Sequence, residues 1–159
     1  MTPQEKQTLI DRYLAGADAF DDVLEMPSAL LTFRPFAEAW TIHEHAVHFL
    51  ESEIAAFHRY RKAVAEPGGP VVGFDEEKWT PALNYHAVPL PDSIAALKLI
   101  RRIAAGHLRT LVDRDWKTLT YTHSSAGPVT LETWIDLYID HVRFHRELID
   151  RNKRLFESR

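Results

Sequence analysis

The sequence predicts an all-α fold, a four-helix bundle with long loops between helices two and three and between helices three and four. Apolar residues recur at three- and four-residue steps in four separate stretches, capping residues stand at their starts, and segments rich in proline, glycine or serine divide them. A chain of 159 residues has the usual size of one compact unit, so residues 1–159 are read as a single domain.

Thr2 followed by Pro3 suits an N-cap and a first helical position, and Leu9, Ile10, Tyr13, Leu14, Ala17, Phe20 and Leu24 carry the helical period onward. Pro27 and Pro35 punctuate the next stretch. Thr41 and Glu44 then have capping-box spacing, which predicts a second helix from Ile42 to about Val64. Pro67-Gly68-Gly69-Pro70 ends it. The long segment beyond contains Phe74-Asp75-Glu76-Glu77-Lys78-Trp79, and loops of this length are functional or partly disordered.

The third helix should start near Asp92 or Ser93, turn Ile94, Leu97, Ile100, Ala104, Leu108 and Leu111 inward, and end near Asp113. Leu119 to Val129 has strand-like ends around a turn-rich middle and suggests a small hairpin. Thr130 caps the fourth helix, whose stripe runs through Leu131, Trp134, Ile135, Tyr138, Val142, Leu148, Ile149 and Phe156.

Hydrophobic residues at 45% and charged residues at 26% give the balance of an ordinary soluble globular domain. A net charge of -4 lacks the positive footprint that phosphate neutralisation needs, which argues against nucleic acid as a partner. Met1 to Lys6 shows no basic start followed by an apolar core, and nowhere do about 18 apolar residues run together; a cytoplasmic protein without a membrane partner is expected. Zero cysteines exclude a disulfide framework, a cysteine zinc site and a cysteine nucleophile, which leaves His, Asp and Glu as metal ligands.

Nine histidines then carry the most information, above all His141 and His145, which stand four apart on the inward stripe of the fourth helix rather than on the face of Asp140, Arg143 and Glu147. Two imidazoles in a core need partners. Each can hydrogen-bond to a carbonyl or hydroxyl, or both can converge as neutral rings on one ion. A metal that keeps an open position usually takes three protein ligands. His43, Glu44, His45 and His48 cluster at the start of the second helix, and periodicity alone does not choose among them.

Trp40-Thr41-Ile42 followed by His48 and Leu50-Glu51-Ser52-Glu53 resembles the second helix of the DinB/YfiT-like superfamily, whose members are described as metal-dependent hydrolases. Phe74 to Trp79 resembles that family's acidic loop ending in Lys-Trp, and His141-x3-His145 resembles its paired ligands. Together these segments span about Trp40 to Ile149. The resemblance implies that His48, His141 and His145 hold one metal, with His43 and His45 solvated or supporting the ligands.

Three neutral histidines suit zinc or nickel, and such an ion lowers the pKa of bound water to about 7 or deprotonates a bound thiol. The resemblance implies both hydrolysis of a small substrate and transfer of a low-molecular-weight thiol to an electrophile. A metal-binding, dimerising bundle without turnover is the other reading, since Phe20, Trp134 and Phe156 can serve a homodimer seam as readily as a core. Glu44 is a candidate catalytic base and equally a helix cap, and Trp79 can wall a pocket or anchor its loop. Arg101 and Arg102 can meet a carboxylate, although an exposed charged face accounts for them more simply. His58, His86 and His107 read as surface or packed residues, and His123 with Ser124 and Ser125 lacks the elbow of a serine hydrolase.

Overall fold

The computed structural model describes residues 1–159. Helix α1 spans Pro3–Ala15 and starts on a complete capping box, in which Thr2 and Glu5 satisfy each other's backbone amides. The long first helix expected from the apolar period stops here. Two 3-10 turns follow at Gly16–Asp18 and Asp21–Glu25. Gly16 stands at this break, where a Cβ would sit 2.5 Å from the Arg101 Nη1 and 2.9 Å from Val142 Cγ2, so that only glycine fits. Ala17, Phe20 and Val23 stay buried beyond the break, because a three-residue step suits a 3-10 turn as well as an α-helix. A short α2 (Ser28–Leu31) follows Pro27.

Helix α3 (Ile42–Ala65) begins on the Thr41–Glu44 capping box and ends before Pro67. The segment behind it is ordered, with a two-residue strand β1 (Pro70–Val71) and a short helix α4 (Glu76–Ala82) capped by Asp75. Helix α5 (Leu90–Arg109) starts earlier than Asp92, since Pro91 is accommodated in its first turn, and ends four residues short of Asp113. Strands β2 (Thr120–His123) and β3 (Gly127–Thr130) form the expected hairpin, and β1 adds to β2 in parallel. Helix α6 (Leu131–Glu157) is capped by Thr130.

The bundle is built from α1, α3, α5 and α6, with α3 and α1 each packed against both α5 and α6. One core cluster gathers Tyr13, Tyr60, Trp116 and Trp134, and a second gathers Phe20, Phe49, Leu97 and Ile149. Buried indoles need acceptors, and Trp116 and Trp134 donate to the carbonyls of Leu111 and Ala56 at 2.9 and 3.1 Å. Phe20 and Trp134 are fully buried in this core, and Phe156 packs half-buried against it, so these aromatics form no free seam. No helix is long and apolar enough to cross a membrane.

Arg101 contradicts its reading as part of an exposed charged face. It is completely buried and joins the two clusters, its guanidinium lying 4.5 Å from the Tyr13 ring centroid and 5.1 Å from that of Phe49. Glu53 pairs with it at 2.8 Å, and Arg101 also donates to the carbonyls of Tyr13 and Tyr138. Arg102 alone of the two faces solvent.

Candidate metal centre

His141 and His145 project from one face of α6, and α3 brings His48 opposite them. One ligand nitrogen from each of the three lies within 4.8 Å of the others. The ring centroids are 4.4 Å apart for His141 and His145, 4.8 Å for His48 and His145, and 5.5 Å for His48 and His141. His141 Nε2 and His145 Nε2 are 2.9 Å apart, a separation that suits two donors sharing one ion at roughly 2.0–2.1 Å each. Both nitrogens of His48 are buried without any hydrogen-bond partner. A buried polar atom left unpaired is costly, and a metal removes that cost for the nitrogen that ligates it.

All three rings are neutral near pH 7. Burial lowers the pKa of His48 to about 4, and burial followed by the neighbouring His48 lowers that of His141 to about 3. Burial also drives His145 far below the ordinary value, helped by His141, His48 and His45. Neutral imidazole is the form that ligates, so folding has already removed the protons that compete with a metal.

Aromatic rings wall the cluster. Phe49 stacks on His141 at 5.2 Å, and Trp40 lies 4.8 Å from His48 and 6.3 Å from His145. A cleft of about 400 Å³ opens beside them, bordered by Trp40, His45, Glu76, His141, His145 and Arg151. Helix α4 places Glu76 Oε2 3.9 Å from His48 Nε2, too far for a hydrogen bond but close enough to face a group held at the cluster. The Glu76 side chain is 56% exposed, yet the enclosure of its inner side, with Glu77 and Asp75 nearby, raises its pKa. In the sequence Glu76 stands out only as a member of the acidic segment Phe74 to Trp79, with nothing local to single it out from Asp75 or Glu77.

His45 is not solvated: it is 3% exposed and its Nδ1 lies 3.0 Å from His145 Nδ1. His43 is half-buried and held by the Val88 carbonyl at 3.0 Å. Glu44 serves as the helix cap, with Oε2 accepting from the Thr41 amide and Oε1 from Arg34, each at 2.7 Å. Burial opposes its charge, but the Thr41 amide and then Arg34 outweigh that and hold its pKa below the ordinary value. Trp79 packs on Phe74 at 4.6 Å and is 38% exposed, so it neither anchors in the core nor borders the cleft. His58 and His86 are exposed, whereas His107 is half-buried against Tyr60; none joins the cluster. His123 contacts Ser125 within the hairpin, away from it.

A family model described as the DinB superfamily matches residues 13–149. Among curated proteins, the chain is 24% identical over 106 residues to "Putative metal-dependent hydrolase YfiT" of Bacillus subtilis, covering 67% of this chain and 60% of that one. A similarly named relative from Bacillus mycoides is 26% identical over 106 residues, with the same coverage. The match thus spans 60% of the length of these relatives. Among solved structures, YfiT from Bacillus subtilis, described as a probable metal-dependent hydrolase with an unusual four-helix bundle topology, superposes with a TM-score of 0.88 at 21% identity. That superposition covers 97% of this chain and 89% of YfiT.

Proposed function

We propose, for a chain that belongs to the DinB superfamily, a metal-dependent enzyme in which His48, His141 and His145 hold one zinc or nickel ion and a small-molecule substrate enters the adjoining cleft. The convergence of three neutral imidazoles, two buried and His141 half-buried, with both nitrogens of His48 unpartnered, carries this reading. Such an ion, when bound, supplies a Lewis acid beside which water or a low-molecular-weight thiol becomes nucleophilic near neutral pH.

The chain's own residues supply the rest. Glu76 accepts the proton that the nucleophile gives up, and its raised pKa brings it nearer the working range of a general base. Trp40 and Phe49 exclude water from one side of the cluster. Arg151 offers a cation on the cleft wall for an anionic part of the substrate. With water as nucleophile the reaction is hydrolysis. With a thiol, which must arrive as a cosubstrate because the chain has no cysteine, it is thiol transfer to an electrophile.

Elemental analysis of the purified protein, compared with His48→Ala and His141→Ala, tests the site. About one zinc or nickel per chain, lost in both variants, is the expected result. The loaded protein is then assayed for hydrolysis of 4-nitrophenyl acetate and for thiol-dependent consumption of monochlorobimane. A protein that refuses both metals ends the enzymatic reading.

A further inference from the structure

A fourth histidine stands beside the cluster, outside the three whose ligand nitrogens converge. His45 lies one turn before His48 on α3, is 3% exposed, and meets His145 through the two Nδ1 atoms at 3.0 Å. Its other nitrogen, Nε2, is buried and has no partner in the protein. The Trp40 ring packs on it at 5.5 Å, and both residues border the cleft.

The proton positions follow from the ligand geometry. His145 turns Nε2 toward His141 Nε2, 2.9 Å away, and that edge belongs to the cluster. A neutral imidazole carries one hydrogen, and a nitrogen that donates its lone pair to a metal cannot hold it. When His145 ligates through Nε2, its hydrogen is on Nδ1. The 3.0 Å contact then requires His45 Nδ1 to be the acceptor, which leaves the hydrogen of His45 on Nε2.

Resting on the metal site proposed above, we propose that His45 is the positioning residue of the centre. It accepts the Nδ1 hydrogen of His145, fixes the tautomer and ring angle of that ligand, and is left with a buried Nε2 hydrogen at the border of the cleft. A metal-ligating histidine normally donates its second ring nitrogen to a carboxylate, carbonyl or water, and here a second imidazole takes that place.

Zinc affinity, measured by competition with a chromophoric chelator, tests this in the full-length protein. His45→Leu removes the acceptor and should weaken zinc about 10–100-fold, the usual cost of losing such a partner. His45→Asn, whose Oδ1 can stand where Nδ1 stood, should recover most of the affinity. Circular dichroism of the metal-free variants separates this from a failure to fold. In protein labelled with nitrogen-15 on histidine, long-range proton correlation should find the zinc-loaded form with His145 protonated at Nδ1 and His45 at Nε2. Unchanged zinc affinity in His45→Leu, or a proton on His45 Nδ1 in the loaded protein, overturns the inference while the metal site stands. An unaltered protein that binds no zinc removes the site itself.

Discussion

Arg101 Nε donates to Glu53 Oε2 at 2.8 Å in the middle of the bundle, with the two side chains 0% and 1% exposed. The Tyr13 hydroxyl donates to the other Glu53 oxygen, so α1, α3 and α5 meet on one carboxylate. Removing one partner leaves an uncompensated buried charge. Glu53→Ala should therefore cost about 3–5 kcal/mol in urea unfolding, whereas the double change Glu53→Leu with Arg101→Met should cost less than the two single changes summed. Additive losses would mean that the pair is not coupled.

The buried histidines make stability depend on pH in a defined direction. Their folded pKa values lie below the ordinary 6.5, at about 4 for His48 and about 3 for His45 and His141, chiefly through burial. Between pH 6.5 and about 4 the unfolded chain binds more protons than the folded one, so unfolding free energy rises with pH in that window. Metal-free protein in chelator should keep this contribution in full above pH 6.5 and lose it steadily toward pH 4. Thermal melts across that range check it, and His48→Leu should show a shallower slope. A flat profile in the unaltered protein would mean that the rings are not held neutral by the fold.

The chain shows which parts of this arrangement local sequence encodes. The start of α3 is legible because Thr41 and Glu44 sit three apart, and its end because Pro67 cannot continue it. His141 and His145 are legible because their spacing equals one helical turn. The close approach at Gly16 is not, since the groups that crowd it, Arg101 and Val142, come from two other helices. Arg101 itself reads as a surface charge because its partner, Glu53, lies 48 positions away. Glu76 is legible only as part of the acidic segment Phe74 to Trp79, since its approach to His48 depends on where α4 lies against α3.

Zinc should stabilise the folded protein by mass action. The unfolded chain presents His48 and the α6 pair with no fixed geometry, so binding energy appears as folding energy. At free zinc 100-fold above its Kd the gain is about 2.7 kcal/mol, read as a rise in melting temperature that depends on zinc concentration. His141→Ala should lose most of that rise. An equal rise in both proteins would place the zinc elsewhere.

Glu44 and Glu76 divide the two roles a carboxylate can take near this centre, and conservative amides tell them apart. Both oxygens of Glu44 are already taken, one by the Thr41 amide and one by Arg34, with His86 Nε2 at 3.4 Å from the latter oxygen. Its charge thus serves the start of α3. Glutamine can still accept from the Thr41 amide but turns an amide toward or away from Arg34, so Glu44→Gln should cost about 1–2 kcal/mol of stability. Metal content and turnover should stay unchanged. Glu76 makes no such bonds and faces His48 across 3.9 Å, so Glu76→Gln should bind metal normally, fold normally and lose turnover about 100-fold or more through the missing proton acceptor. The reverse pattern, with turnover lost in Glu44→Gln at full metal content and kept in Glu76→Gln, would transfer the base to the capping residue.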